Sequence, residues 1–417
     1  MTPIQRLEKA KRFDMAKRPI RQRGYLRPLT WLLSYPEIWL RRLRVTRSGT
    51  DGIKPPYLLL CTHHAFIDFK TTTAAIFPHR ANYVVAIDGF IGREWLLRQV
   101  GGICKRKFTN DIQLVSQIQY ALKHFDAVLA LYPEARYSLI GTNAVLPESL
   151  GKMAKLLKVP VVMLNMHGHY LNSPCWNLRK RGNRIGADMT LLYTTEQLAQ
   201  ATVKEINERI NQAFVYDEYA WQKEQGIRIA YRKRAKGLHK VLYQCPNCQT
   251  EYRMTSYDDK LMCTNCSKTW RMTEWGNLEA LGALPTEFSH IPDWYEWQRS
   301  VVRQEIEKGT YYFSSTVTVD ALPNASGYIR LGEAHLVHDT SGFVLEGVFD
   351  QRPFSLVKPV ESMYSCHIEY NYKGKGDCID LSTHSDTFYL YPHGSEFSVT
   401  KIALATEELF YRNRLRD

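Results

Sequence analysis

Between residues 57 and 215 the chain alternates short apolar runs with helix-spaced segments, and this rhythm restricts the fold more than any other feature. The strand-like runs are 57–62, 82–87, 127–132, 161–165 and 188–193. Segments 90–100, 111–124 and 149–157 between them have helical spacing, and 195–213 continues as a helix with Leu198, Val203, Ile206 and Ile210 on one side. Strands that alternate with helices form a largely parallel sheet covered by those helices, so the expected class is mixed α/β. In such sheets sites are built at the carboxyl ends of the strands.

Two of those strand ends carry chemistry. Tyr57-Leu58-Leu59-Leu60 runs into Thr62-His63-His64-Ala65-Phe66-Ile67-Asp68. Ala127-Val128-Leu129-Ala130 runs into Tyr132-Pro133-Glu134-Ala135-Arg136-Tyr137-Ser138. A neutral imidazole can take the proton of an attacking hydroxyl, and a carboxylate on its other nitrogen holds the tautomer and stabilises the imidazolium. On a regular helix, residues five apart lie about 140° from one another. His63 can therefore meet Asp68 only from the strand-to-helix turn, whereas His64 is a rival partner on helical geometry. A structural histidine is the plainer reading of this motif by itself. Pro133 stops the strand, so Glu134 and Arg136 should project from a loop. Arg there suits a phosphate, and Glu134 can hold a substrate hydroxyl or orient a base; a solvated ion pair is the alternative. Gly101-Gly102-Ile103-Cys104-Lys105-Arg106-Lys107 brings three cations close behind two glycines, either as an anion site or as a solvated charge run. Val159-Pro160-Val161-Val162 reads as the start of a buried strand.

In this order the four stretches resemble the glycerophospholipid acyltransferase family, the 1-acylglycerol-3-phosphate acyltransferase-like enzymes, over about residues 50–215. That family reads Asn-His-x4-Asp, then Gly-x-Ile with a following cation, then Phe-Pro-Glu-Gly-Thr-Arg-Ser, then Val-Pro-Ile. Here Thr62 stands for the Asn, Ala135 for the Gly, and Arg136 falls one position early, with Tyr137 where the Arg is expected. The resemblance implies an acyltransferase-like fold and acyl transfer from an acyl thioester (acyl-CoA or acyl-carrier-protein) to a hydroxyl of a glycerophospholipid-type acceptor. His63 would be the general base and Asp68 its partner. Glu134, Arg136, Lys105, Arg106 and Lys107 would hold the polar head, with no covalent enzyme intermediate and no catalytic metal.

Charge locates a second expectation. Residues 1–50 hold 13 Lys/Arg against 3 Asp/Glu, which is most of the chain's net +13. Trp31, Trp39 and several Leu and Ile mix with the arginines there, as in segments that lie in a bilayer interface. The expectation is a peripheral protein at the inner, cytoplasmic face of a membrane; an amphipathic helix covering a domain is the plainer alternative. No run of about 20 apolar residues and no apolar signal core is present.

Four of the nine cysteines form Cys245-x-x-Cys248 and Cys263-x-x-Cys266, a spacing that gives four thiolates to one closed tetrahedral site. Structural zinc is expected, and a binding energy of roughly 10–16 kcal/mol is enough to fold so small a ribbon. The expected organisation is a basic arm at 1–50, the α/β domain at 51–215, a helical linker at 216–240, the ribbon at 241–275, a connector at 276–310 and a β-rich domain with a closing helix at 311–417. The last pattern faintly resembles a small barrel of the pleckstrin-homology type. Two other readings stand beside the enzyme: a nucleic-acid-binding zinc-ribbon protein, disfavoured because the charge lies far from the ribbon, and a catalytically degenerate lipid-binding scaffold.

Overall fold

The computed structural model describes residues 1–109 and 111–414. Residue 110 and residues 415–417, which fall in the expected 51–215 and 311–417 segments, lie outside it. Three sheets organise the chain. The first holds β1 (Arg44–Ser48), β2 (Tyr57–Cys61), β3 (Ala81–Ala86), β4 (Gly102–Lys105), β5 (Val128–Leu131), β6 (Val161–His167) and β7 (Gly186–Tyr193). Their spatial order is β1-β7-β6-β2-β5-β3-β4. Every pairing is parallel except β6 with β7. β2 and β5 are apolar along their whole length and buried throughout, as strands covered on both faces must be. Each fully buried Leu or Val in them contributes roughly 1.5–3 kcal/mol. From β2 the chain goes to β3, β4 and β5 on one side and to β6 and β7 on the other. In α/β sheets, reversals of this kind are where sites are built, at the strands' carboxyl ends.

Two local readings differ from the structure. Residues 44–48 belong to the first sheet as its edge strand, because Arg44 to Ser48 find a parallel partner in Gly186 to Thr190. The segment expected as one helix at 195–213 is two helices, Thr195–Gln200 and Val203–Phe214. Thr194 and Thr202 each form a capping box, so a new helix start is written at Thr202.

The second sheet is the small antiparallel ribbon, β8 (Met254–Tyr257), β9 (Lys260–Cys263), β10 (Thr269–Met272) and β11 (Leu278–Ala280), in sequential order. The third holds β12 (Phe313–Leu322), β13 (Ile329–Asp339), β14 (Gly342–Phe349), β15 (Arg352–Pro359), β16 (His367–Glu369), β17 (Cys378–Ser382) and β18 (Thr387–Pro392). It is antiparallel, its last strand β18 pairs with its first, β12, and helix Val399–Arg414 closes it. Residues expected as connector include a 17-residue helix, Ile291–Glu307. Its Trp294 packs edge-on against Trp270 of the ribbon at 4.9 Å. Ribbon and third sheet thus share one continuous apolar core.

The N-terminal residues touch the third sheet before they reach the first. The Ile4 N–H donates to Asp350 Oδ2 at 3.0 Å, the Phe13 N–H to the Pro323 carbonyl at 3.0 Å, and the Arg23 N–H to the Gln99 carbonyl at 3.0 Å. Helix Arg27–Leu40 then buries Ser34 and Ile38 and turns Leu32, Leu33, Trp39 and Leu40 outward. No helix among the described residues is long and apolar enough to cross a membrane.

Candidate active site

β2 ends at Cys61, and Thr62 prolongs its contact with β6: its N–H donates to the Leu164 carbonyl, and its hydroxyl accepts the Met166 N–H at 2.9 Å. The chain then turns, and helix Ile67–Ala75 begins with Asp68 in its first turn. Asp68 is fully buried and reaches back over the turn. Its Oδ2 accepts the backbone N–H groups of His64 (2.6 Å) and Ala65 (3.0 Å) and meets His63 Nδ1 at 3.0 Å. Its Oδ1 meets His169 Nδ1 at 2.7 Å. Burial alone would push the Asp68 carboxyl up, but the hydrogen bonds from His169 and His63 outweigh it and hold the group well below the usual carboxylate range. Asp68 is therefore a fixed anion to which the His63 ring, and not the His64 ring, is attached. His64 is buried with neither ring nitrogen hydrogen-bonded, and burial pushes it down to about 3, so it stays neutral.

The loop after β5 fastens onto the same turn. The His63 N–H donates to Glu134 Oε2 at 2.8 Å, and the Ala144 N–H donates to Glu134 Oε1 at 2.7 Å. The Ser138 N–H donates to the His63 carbonyl at 2.8 Å. His63 is thus held at both backbone groups by the Pro133–Ser138 loop, and Glu134 acts on the histidine's backbone. Burial pushes the Glu134 carboxyl up to about 7 against the two N–H donors. Ala135 takes φ +57°, a left-handed conformation that costs a residue with a Cβ about 1–2 kcal/mol. The imidazole of His63 lies between Tyr132 and Tyr137, at ring-centroid distances of 4.6 and 4.5 Å. Its side chain is 14% exposed, and Nε2 has no hydrogen-bond partner among the described residues.

The expected head-group residues are dispersed. Arg136 is buried, with Nη2 2.5 Å from Glu407 Oε1 of the closing helix and Nη1 donating to the Cys366 carbonyl. Its guanidinium is committed to those partners. Arg106 is buried too, donating to the carbonyls of Leu322, Pro323 and Ser385 and to Thr387 Oγ1, so it bolts the first sheet to the third. Lys105 is half-buried, and Lys107 reaches His367 Nε2 at 2.8 Å and Asp88 Oδ2 at 3.8 Å. The glycines before these cations serve packing: a Cβ on Gly102 would meet the Leu97 carbonyl oxygen at 2.8 Å. Val161 and Val162 are fully buried in the sheet.

The sequence motifs did not point to His169, although it follows β6 at a strand end, in His167-Gly168-His169. Nor did they point to His367, whose Nδ1 lies 2.6 Å from Asp380 Oδ2 in the third sheet.

In the ribbon, the ligand atoms of Cys245, Cys248, Cys263 and Cys266 all lie within 4.8 Å of one another. The Cys245–Cys266 and Cys248–Cys263 sulfur pairs are each 3.7 Å apart. A tetrahedron with metal–sulfur bonds of about 2.3 Å has edges of about 3.8 Å, so the quartet can hold a metal ion of that kind. Asn265 and Asn247 aim side-chain N–H groups at Cys248 and Cys266, which supports thiolate ligands.

A buried anion, an imidazole oriented by it and a free Nε2 at a strand end together make a positioned proton acceptor. No family model matches the chain, and a search of curated proteins finds no relative. Among solved structures, the chain is similar to the crystal structure of the 1-acyl-sn-glycerophosphate (LPA) acyltransferase, PlsC, from Thermotoga maritima, at 13% identity and a TM-score of 0.39, over 48% of this chain and 80% of that one. At that distance the likeness leaves function to the residues themselves.

Proposed function

We propose that the protein is an acyltransferase that moves a fatty acyl group from an acyl thioester to a hydroxyl of a glycerophospholipid-type acceptor at a membrane surface. The observation that carries this reading is the His63–Asp68 contact with Nε2 left open at the strand end. In the reaction the acceptor hydroxyl gives its proton to His63 Nε2 as its oxygen attacks the thioester carbonyl. Asp68 stabilises the imidazolium through Nδ1–H. The tetrahedral intermediate then expels the thiol sulfur, which takes the proton back from Nε2, leaving an ester, a free thiol and a neutral histidine. Glu134 fixes the backbone of His63, so its role is positioning. Lys105 and Lys107 are the cations of the expected head-group set that remain near the sheet's carboxyl edge.

Membrane contact is supported by the outward leucines and Trp39 of helix Arg27–Leu40, with exposed Phe66 and Phe77 nearby on the chain that packs against it. Such an apolar face beside many arginines suits an anionic bilayer interface, which supports a place at the inner face of a membrane. The ribbon is read as a structural zinc site, and purified protein should carry one zinc per chain, lost together with ordered ribbon signals on chelation.

The buried Arg136 favours a second reading, a lipid-binding scaffold without turnover. One experiment separates the two: purified protein with acyl-CoA or acyl-carrier-protein donors and a panel of lysolipids, product ester followed by mass spectrometry. The enzyme forms an ester that His63→Ala abolishes while the fold is kept. Ester formation undiminished in His63→Ala would sink the assignment, and lipid binding with no ester on any acceptor would favour the scaffold.

A further inference from the structure

Asp68 serves two histidines, and the proposed reaction uses one of them. Its side chain and that of His169 are both sealed from solvent. Oδ2 is crowded, with His63 Nδ1, the His64 N–H and the Ala65 N–H all directed at it. Oδ1 has a single donor among the described residues, His169 Nδ1 at 2.7 Å. An ionised carboxylate can only accept, so His169 carries its proton on Nδ1. The Thr71 hydroxyl, 3.3 Å from His169 Nε2, is the donor that fits this tautomer. The His367–Asp380 pair shows the alternative: Asp380 Oδ1 is buried with no hydrogen-bond partner among the described residues.

His169 is held in the way His63 is held. It follows β6, the neighbour of β2 in the sheet. The Gly168 N–H donates to Glu218 Oε2 and the Leu171 N–H to Glu218 Oε1, both at 3.0 Å, much as Glu134 accepts the N–H groups of His63 and Ala144. Gly168 turns at φ +78°, and a Cβ there would meet the Arg184 carbonyl oxygen at 2.6 Å, so the approach to His169 is fixed in the backbone. A buried carboxylate thus grips the backbone beside each of the two histidines. The other ionisable neighbours are Cys61 and His64 at the β2 end, Tyr132, Glu134 and Tyr137 at the β5 end, and His167 and Glu218 at the β6 end. Among the described residues, the side chains that bond Asp68 are those of His63 and His169.

We propose that His169 is a positioning residue: through Oδ1 of Asp68 it keeps the His63–Asp68 pair free of its proton at neutral pH, so that His63 can act as a base. Without the His169 N–H, Oδ1 is buried and bare, which strengthens the pair's hold on a proton whichever member takes it. The pair then stays protonated to a higher pH, and the acid limb of turnover moves up with it. The inference rests on the acyltransferase reading for the word base, but the proton can be followed without turnover. The full chain with isotope-labelled histidine rings is titrated by NMR, the His63 signal being assigned by its loss in His63→Ala. His169→Leu and His169→Asn remove the ring in nearly the same shape, and only Asn offers an N–H where Nδ1 stood. His169→Leu is expected to raise the His63 midpoint by about one pH unit, and His169→Asn to return most of that shift. The acid limb of kcat/KM for ester formation shifts by the same amounts. Thr71→Val, which deprives Nε2 of its donor, moves the midpoint the same way by less. An unmoved midpoint in His169→Leu (or, where that chain does not fold, in Thr71→Val) overturns the role, as does His169→Asn shifting as far as His169→Leu. Shifted midpoints without ester formation on any lysolipid keep this control of the proton and sink the enzyme; ester formation with unmoved midpoints does the reverse.

Discussion

Two of the buried histidine–aspartate pairs, His63–Asp68 and His367–Asp380, share one ring contact and differ at the other ring nitrogen. His63 and His367 both turn Nδ1 to an aspartate Oδ2, at 3.0 and 2.6 Å, and both aspartates are shut off from solvent. At His367 the other nitrogen is taken by the Lys107 ammonium at 2.8 Å, so its lone pair is already used. At His63 that nitrogen is free, between two tyrosine rings at a strand end. The same dyad thus keeps no ring nitrogen open in one sheet and one open in the other, where the proposed reaction needs a base. What decides is whether the protein supplies a donor to Nε2.

That contrast can be broken. His63→Ala should lower turnover by about 10²–10⁴-fold with little change in melting temperature. His367→Ala should do the opposite, costing about 3 kcal/mol of stability because Lys107 and Asp380 are left buried without their partner, while turnover per folded molecule falls less than tenfold. Equal losses of turnover in the two variants, measured beside their denaturation curves, would erase the distinction.

A smaller effect sharpens the His63 side. Both Glu134 oxygens accept backbone N–H groups, so Glu134→Gln must turn its own NH₂ toward one of them. The lost bond and the new donor–donor contact should cost about 1–3 kcal/mol, and turnover should fall with it because the His63 backbone loosens. Unchanged urea midpoint and unchanged turnover would show that the loop does not hold the base.

The smallest expected effect is on the acid side. His64 and His338 are held neutral by burial, both near 3. An unfolded histidine protonates near 6.5, so the unfolded state binds more protons below that value. Stability is therefore intact above pH 6.5 and declines as pH falls from 6.5 toward 3. His64→Phe should flatten that decline in thermal melts taken across the window; an identical slope would mean His64 finds a proton-accepting partner in the fold.

How legible this was depended on sequence distance. The strand ends at Thr62 and Tyr132, the placing of His63 ahead of its helix and the cysteine quartet rest on short-range pattern, which apolar runs, Pro133 and fixed spacings write directly into the chain. Asp68's second partner, His169, lies 101 positions on, and Arg136's partner Glu407 lies 271 on. No local period encodes such pairs. The place of Arg106 was hidden for the same reason: a Lys-Arg-Lys run looks solvated or anion-binding until the carbonyls of Leu322 and Pro323 are seen to surround Arg106. Strand β1 was hidden because Arg44–Ser48 is an exposed, charged edge with no apolar alternation to announce it.

The Arg136–Glu407 pair has a consequence in time. The loop that grips His63 is anchored two residues beyond Glu134 by a carboxylate 271 positions later. At synthesis rates of about 5–20 residues per second, the first sheet can exist for tens of seconds on the ribosome before that anchor emerges. Until the helix that carries Glu407 is made, a nascent chain holds the His63 turn through a loop that lacks this anchor.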